Sequence, residues 1–170
     1  QILAYNLEPS LYSVSLMRQW IDFLESKNIT DYPVHLKFNS GLNRLGMNFE
    51  EITEVVSAIL GTNSLRICSV FSHLGASDDP NAEEFTRDQI TRYDSFYETF
   101  TEKMRNKNPL FNNPWRHLCN TSGVLNYPEA QYDMVRCGIG LYGYGNDPKY
   151  DRLLRPVAQL KAPILQIHQV

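Results

Sequence analysis

The chain has 170 residues, of which 42% are hydrophobic and 21% charged, and its net charge is −3. These values are typical of one globular domain, and the slight acidity argues against a nucleic-acid-binding protein, which usually has a basic surface. The apolar runs are shorter than the roughly 20 residues that a membrane helix requires. We therefore expect no nucleic-acid or membrane partner and a cytoplasmic location.

Two further features concern the source of the chain. It begins at Gln1 and not at Met, which we interpret as the start of a fragment. Cys68, Cys119 and Cys137 lack the paired spacing of a metal or redox motif, and they are interpreted as reduced thiols.

Short apolar runs alternate with amphipathic segments along the chain. The runs are predicted to be strands, and they cover residues 2–5, 34–38, 65–72, 115–120 and 134–139. The amphipathic segments repeat apolar residues every three or four positions and are predicted to be helices, over residues 13–27, 48–60 and 82–105. Asn48 and Glu51 have the spacing of a capping box, and Gly61 is a natural terminator of the second helix. Residues 157–170 are predicted to be a β-rich tail.

Alternating strands and helices predict parallel βαβ units. Two architectures fit this order: part of a (β/α)8 TIM-type barrel, or a doubly wound open sheet. A complete barrel takes about 250 residues, so this chain could hold only part of one.

Polar residues follow four of the predicted strands, at the end where parallel α/β folds build their active sites. They are Lys37, Asn39, Ser40, Gly41 and Arg44; His73, Gly75, Ser77 and Asp78; Asn120, Thr121, Ser122 and Gly123; and Arg136, Gly138 and Gly140. The last two groups offer hydroxyls and backbone N–H groups that suit a phosphate. They favour a phosphorylated cofactor or substrate.

Each of these residues also has a simpler interpretation. Arg44 is compatible with a solvated surface residue, and His73 with a hydrogen-bonded core histidine. His73 with Asp78 and Asp79 could suggest a metal, but such a site usually needs a second histidine, so we predict none. Arg136 on a buried strand should meet an acceptor or a negative charge, because an unpaired buried charge is costly.

Several segments resemble motifs of the alanine racemases. The matching segments are residues 35–47 (HLKFNSGLNRLGM), 71–78 (FSHLGASD), 117–123 (HLCNTSG) and 134–143 (MVRCGIGLYG). Gln89 and the aromatics after it fit a helix of the family, and residues 155–157 resemble the start of the strand that links its two domains. The matches keep the order and spacing of the family, and this resemblance favours the barrel over the open sheet.

The resemblance implies a cofactor, pyridoxal 5′-phosphate (PLP), and roles for the residues around it. His73 corresponds to the histidine that packs against the pyridine ring, and Arg136 to the arginine beside the pyridine nitrogen, whose charge discourages protonation of that nitrogen. Asn120 and Thr121 correspond to polar residues on the cofactor side. Gly138 and Ile139 correspond to the pair whose backbone N–H groups bind the phosphate.

Two further residues are assigned by the same resemblance. Arg44 corresponds to the arginine near the cofactor hydroxyl and the substrate, and Lys37 to a lysine that is often carbamylated. The catalytic set predicted in this way is Lys37, Arg44, His73 and Arg136. Asn39 stands where the family usually has aspartate and Ser40 where it has threonine, so the turn after the second strand is expected to be held differently. Thr121 replaces a serine and keeps the hydroxyl, and Gly75 replaces another small residue.

The resemblance also implies the extent of the chain and its function. Residues 1–156 are expected to form about strands 4 to 8 of a PLP-binding (β/α)8 barrel, and residues 157–170 a β linker toward a C-terminal β domain. The expected function is racemisation of L- and D-alanine for peptidoglycan synthesis, in a homodimer. The Schiff-base lysine and the catalytic tyrosine of the family have no counterpart here, so the piece is expected to be inactive alone. The alternatives are a broad-spectrum or serine racemase, and a non-catalytic PLP-binding barrel protein.

Overall fold

A computed structural model describes residues 1–168 of the protein. Its centre is a four-stranded parallel sheet in the order β1-β2-β3-β4. The strands are β1 (Ser10–Leu11), β2 (Tyr32–Lys37), β3 (Leu65–Phe71) and β4 (Trp115–His117).

Three helices connect successive strands, and two short helices follow β4. They are α1 (Val14–Ser26), α2 (Ile52–Leu60), α3 (Glu83–Lys107), α4 (Thr121–Asn126) and α5 (Pro148–Asp151). Ser13 caps α1 by accepting the N–H of Leu16 on its side chain. The predicted capping box of Asn48 and Glu51 is present, with the N–H of Asn48 donating to the Glu51 carboxylate at 2.7 Å. A short 3-10 turn (Phe49–Glu51) leads from it into α2.

The core lies between the sheet and the three longer helices. Val34 and Leu36 of β2 and Val70 of β3 are fully buried on the helix side of the sheet. Val55 of α2 and Tyr93 of α3 are fully buried against them. The Tyr93 hydroxyl donates to the Val70 carbonyl at 2.8 Å, which fixes α3 on the sheet.

The strand order follows the chain order without reversal. Consecutive parallel strands of a barrel are arranged in this way, whereas a doubly wound sheet reverses its order at a switch point. The prediction of an α/β fold with a parallel sheet is therefore confirmed.

Two strand predictions were wrong. Leu3–Tyr5 is a 3-10 helix, and the first strand is instead Ser10–Leu11, a run too short to stand out in the sequence. Residues 134–138 form no strand, and a 3-10 helix follows them (Ile139–Tyr142). Their backbone still begins beside β4, because the N–H groups of Asp133 and Met134 donate to the Arg116 carbonyl at 3.2 Å and 3.3 Å, but no regular ladder forms.

The chain end and the end of α2 also differ from expectation. Residues 157–168 are exposed and contain no strand, while positions 169 and 170 of the predicted β-rich tail lie outside the described residues. Gly61 does follow the last residue of α2, but its φ is −82°, so this position does not require glycine. Within residues 1–168, no helix is both long and apolar enough to cross a membrane.

Candidate functional site

The candidate site lies on the face of the sheet that the helices leave open. Successive side chains of a strand point to opposite faces, so Lys37 of β2 shares this face with Phe71 of β3 and His117 of β4. The three residues are direct neighbours in the strand register. The rings of Phe71 and His117 are stacked, with centroids 4.8 Å apart.

Two cations lie over the Phe71 ring. Lys37 Nζ is 5.3 Å from the ring centroid, and Arg136 Cζ is also 5.3 Å from it. A cation over an aromatic face is attracted by the negative charge of that face. The Phe71 ring therefore lies beneath two cationic side chains, which make this part of the open face positively charged.

Arg136 is fixed by the carboxyl ends of two strands. Its Nη2 donates to the main-chain oxygens of Ser72 at 2.7 Å and Leu118 at 3.1 Å, and lies 3.3 Å from His73 Nδ1. Its Nη1 donates to His117 Nδ1. The buried arginine thus finds acceptors, as expected, although it lies on an irregular segment and not on a strand.

The charges of this site keep its histidines neutral. Burial first, and then Arg136, Lys37 and Arg44, lower the pKa of His73 from 6.5 to about 4. Burial and Arg136 lower the pKa of His117 to about 3. Burial, Arg44 and Arg136 also lower the pKa of Lys37, which makes its amine easier to deprotonate.

Arg44 is presented by a closed loop after β2. The chain leaves the sheet at Lys37 and returns at Met47, whose N–H donates to the Lys37 carbonyl at 2.9 Å. Asn39 holds the turn, since its side-chain oxygen accepts the N–H groups of Gly41 at 3.2 Å and Asn43 at 3.0 Å. Asn39 therefore stabilises the turn by accepting two of its N–H groups, at one of the positions that depart from the motif.

Ser40, the other departure in this turn, is fully buried. Its hydroxyl is 2.8 Å from that of Ser72, and the Ser72 hydroxyl donates to the Phe38 carbonyl at 2.8 Å. This contact joins the loops that follow β2 and β3.

A second cluster surrounds Thr121. Its hydroxyl oxygen accepts the N–H groups of Gly138 and Gly140, both at 3.0 Å. This pairing brings the two predicted phosphate segments together, but it also occupies the N–H of Gly138 with Thr121. Of the two residues predicted to bind phosphate through their N–H groups, Gly138 donates to Thr121 and only Ile139 does not. The hydrogen of the Thr121 hydroxyl can still be donated to an anion.

The side-chain amides of Gln89 and Asn120 support the loops that carry these groups. The side-chain oxygen of Gln89, a fully buried residue of α3, accepts the N–H of Gly75 at 2.8 Å, and its Nε2 donates to the His73 carbonyl at 3.3 Å. The side-chain oxygen of Asn120 accepts the Ser77 hydroxyl at 2.8 Å and the N–H of Gly123 at 2.9 Å. In this structure Asn120 therefore supports the loop, and its role toward a cofactor stays a prediction.

Asp78 and Asp79 are not part of the site. Both are exposed, and Asp79 instead caps a 3-10 helix through the N–H of Asn81. Within residues 1–168 there is no group of three or more histidine, cysteine, aspartate or glutamate side chains that could hold a metal.

Four polar residues of the open face were not singled out as site residues from the sequence, namely Glu8, His35, Ser69 and His117. His35 and Lys37 are two positions apart on β2, as are Ser69 and Phe71 on β3, so the period of two could have placed them on one face. A polar residue within an otherwise apolar strand, such as His35 or Ser69, was the feature of the sequence that could have indicated them.

The site has a clear excess of positive charge. Within residues 1–168, Lys37, Arg44 and Arg136 form no ion pair with a carboxylate. Cations that lie together without a protein counter-charge are suited to an anionic ligand. A flat anion could lie over Phe71 beside Arg136, with a phosphate near Thr121.

Comparison with known proteins identifies the class of this barrel segment. Residues 1–146 match the family model described as "Alanine racemase, N-terminal domain", and the chain belongs to that family. It is 31% identical to the alanine racemase of Synechocystis sp. over 171 residues, covering 99% of this chain and 44% of that protein.

Solved structures show the same likeness. An alanine racemase from Streptomyces coelicolor A3(2) superposes with a TM-score of 0.75 at 25% identity, over 92% of this chain and 41% of that one. An alanine racemase from Bartonella henselae with covalently bound pyridoxal phosphate superposes with a TM-score of 0.68 at 19% identity, over 85% of this chain and 37% of that one. The chain thus spans less than half the length of these relatives.

Proposed function

We propose that the protein carrying this chain is an alanine racemase that uses PLP to interconvert L- and D-alanine for peptidoglycan synthesis. Membership of the family supports the reaction, and the structure of a relative with covalently bound pyridoxal phosphate supports the cofactor. The single observation that carries the proposal is the position of Arg136. Its guanidinium is held over Phe71, beside His73, without a carboxylate partner among residues 1–168.

The residues present fit PLP. Lys37, Arg44 and Arg136 supply positive charge for an anionic ligand, and the Thr121 hydroxyl, which accepts the N–H of Gly138 two residues after Arg136, offers a donor. When bound, PLP supplies an electron sink for the α-carbon of the amino acid. In this proposal His73 packs against the pyridine ring and Arg136 lies beside the ring nitrogen.

Arg136 would discourage a proton on that nitrogen, because a guanidinium can donate hydrogen bonds but cannot accept them. His73, whose pKa is about 4, would pack against the ring as an uncharged imidazole. Thr121 and the Ile139 N–H would bind the phosphate, with Gly138 holding Thr121 in place. Arg44, on its closed loop, would bind the cofactor hydroxyl and the substrate carboxylate.

Racemisation needs a base on each face of the α-carbon. We assign both bases to parts of the protein outside these 170 residues. In this proposal the 170 residues form about strands 4 to 8 of the barrel and contact the cofactor on the side away from the Schiff-base lysine. The 170 residues by themselves are therefore expected not to racemise alanine. Homodimer formation and a cytoplasmic location are further expectations, which light scattering and cell fractionation would test.

The decisive experiment compares the intact protein with an Arg136→Met variant and with Arg105→Met as a control. Arg105 is exposed at the end of α3 and donates to Asn113. PLP binding is followed by absorbance and racemisation of L-alanine by a coupled assay. We expect activity in the wild type and the control, with a large loss in Arg136→Met. A folded, PLP-loaded wild type without activity on alanine would overturn the proposal, and a panel of amino acids including serine would then identify a broader or different racemase.

A further inference from the structure

An unbroken series of hydrogen bonds crosses the open face of the sheet from Arg136 to Glu8. Arg136 Nη1 contacts His117 Nδ1. The other imidazole nitrogen, His117 Nε2, is 2.9 Å from the Ser69 hydroxyl. Ser69 is in turn 2.7 Å from His35 Nδ1, and His35 Nε2 is 3.0 Å from a carboxylate oxygen of Glu8. The series therefore links three neighbouring strands, β2, β3 and β4, to the segment before β1 and to the segment that carries Arg136.

The chemistry of the two ends determines where each proton lies. A guanidinium has only donors, so His117 must accept on Nδ1 and carry its proton on Nε2. That N–H donates to Ser69, whose single hydrogen is then free to donate to His35 Nδ1. His35 therefore carries its proton on Nε2 and donates it to Glu8, which as a carboxylate only accepts.

The same donor and acceptor chemistry excludes a series in which the hydrogen bonds are donated in the opposite direction, from Glu8 toward Arg136. If Ser69 donated to His117, the proton of His117 would lie on Nδ1, facing an N–H of Arg136. If His35 were protonated on both nitrogens, Ser69 would receive two N–H groups and its own hydrogen would lose its acceptor within the series. Ser69 is 1% exposed, so water cannot readily replace that acceptor.

The electrostatics agree with this assignment. Burial and Arg136 lower the pKa of His117 to about 3, which keeps it neutral at physiological pH. Burial also lowers the pKa of Arg136 itself, which disfavours its cationic form. The Glu8 carboxylate at the other end of the series opposes this lowering of the Arg136 pKa. Each hydrogen bond polarises the group that donates it, and so strengthens the next hydrogen bond toward Arg136.

We propose that Glu8, His35 and Ser69 are positioning residues that act through His117 to hold the guanidinium of Arg136 in the orientation used beside the cofactor ring. This inference rests on the proposed function. It assigns Glu8, which is exposed and distant in sequence, a role as the negative end of the series. None of these three residues is argued to touch the cofactor or the substrate.

The test uses the full protein with PLP and three variants. Glu8→Gln keeps an acceptor but removes the charge, and Ser69→Ala interrupts the series. Glu102→Gln changes an exposed glutamate on α3 and is the control. Imidazole ¹⁵N shifts report which nitrogen of His35 and of His117 carries the proton. The absorbance of bound PLP and the steady-state constants for L-alanine report the effect at the ring.

In the wild type we expect protonated Nε2 and unprotonated Nδ1 on both histidines, with or without PLP. Ser69→Ala should change the His35 shifts, move the absorbance of bound PLP and lower kcat about fivefold with little change in KM, the effect of about one hydrogen bond. Glu8→Gln should act in the same direction, and because Glu8 is exposed, that variant will fold even if Ser69→Ala does not. Glu102→Gln should match the wild type.

Failure of this inference is distinguishable from failure of the proposed function. A wild type that binds PLP and racemises alanine but carries the His117 proton on Nδ1 overturns the inference alone. The inference is also overturned if neither Glu8→Gln nor folded Ser69→Ala changes the ¹⁵N shifts of His35 or kcat. A wild type that binds no PLP overturns the proposed function, and the positioning role falls with it.

Discussion

Arg136 Nη2 donates to the main-chain oxygen of Ser72 at 2.7 Å, which joins two positions that are 64 residues apart in the chain. The same nitrogen donates to the Leu118 carbonyl at 3.1 Å. The ends of β3 and β4 are therefore held together by one side chain. The other arm of the guanidinium places Nη1 against His117 Nδ1, so the planar fork serves three acceptors at once, which the single nitrogen of a lysine does not.

We therefore predict that Arg136→Lys destabilises the fold even though it keeps the charge. The loss of the fork leaves main-chain acceptors without a partner, which corresponds to about 1–3 kcal/mol of unfolding free energy. Urea denaturation measures the change. Arg105→Lys, on the exposed end of α3, is the matched control and should lie within about 0.5 kcal/mol of the wild type. Equal stability of the two variants would show that the fork contributes nothing.

The Thr121 hydroxyl is predicted to control PLP affinity. It accepts the N–H groups of Gly138 and Gly140, so its removal leaves two donors unpaired and releases the loop. Thr121→Val keeps the shape but loses the oxygen, and PLP binding should weaken roughly tenfold. Thr121→Ser keeps the oxygen and should bind PLP as the wild type does. Equilibrium titration followed by absorbance distinguishes the two, and equal affinities would contradict the assignment.

The sequence predicted those parts of the fold that depend on local periodicity. Helix α1 was found from its apolar spacing, and β2 and β3 from their apolar runs. A strand was wrongly predicted at residues 134–138, because Val135 and its neighbours have strand-like composition. In the structure they do not form a regular ladder with β4. Ladder formation depends on the register of partners distant in the chain, and no local pattern encodes it.

The site was predictable only in part, for a related reason. His73 and Arg136 were identified from their motifs, and the structure brings them within 3.3 Å. The contact of His35 with Ser69 was missed because it depends on a register shift between Val34 and His35, where the pairing skips one residue of β3. Without that shift, Ser69 would lie opposite a different residue and on the other face.

Gly46 is predicted to be essential for the loop that carries Arg44. Its φ is +136°, and a Cβ placed there would lie 2.6 Å from the backbone nitrogen of Asn39. Gly46→Ala should therefore destabilise the protein by about 1–3 kcal/mol. Gly61→Ala is the control, because Gly61 has an ordinary φ and its Cβ would meet its nearest neighbour at 3.3 Å. Thermal unfolding of both variants checks the prediction, which fails if Gly46→Ala melts no earlier than Gly61→Ala.

Acid is predicted to destabilise the protein through its neutral histidines. The pKa of His73 is about 4 and that of His117 about 3 in the folded state, both below the ordinary value of 6.5. As the pH falls below 6.5, the unfolded chain binds protons that the folded chain does not, so stability decreases from about pH 6.5 to about 4 through His73 and to about 3 through His117. The stabilising effect is complete above that window.

The urea midpoint measured from neutral pH downward tests this assignment. In His73→Asn one of the two titrating groups is removed, while the amide oxygen can still accept from Arg136, so the decline should be shallower than in the wild type. His168→Asn, at an exposed position, should follow the wild type. Parallel curves for the wild type and His73→Asn would show that His73 does not contribute.

Lys37 is predicted to be carbamylated in the PLP-loaded protein. Burial, Arg44 and Arg136 lower its pKa, so more of the amine is neutral and able to attack carbon dioxide. The nitrogen lone pair forms the new N–C bond, and one proton leaves to solvent. The product replaces a cation that repels Arg44 with an anion that attracts it. In protein incubated with ¹³C-labelled bicarbonate, a carbamate resonance should appear in the wild type and in Lys103→Ala, whose target is an exposed lysine of α3, but not in Lys37→Ala. If the signal is missing in the wild type, or persists in Lys37→Ala, then Lys37 is a bare amine and must be accommodated beside Arg44 in its neutral form.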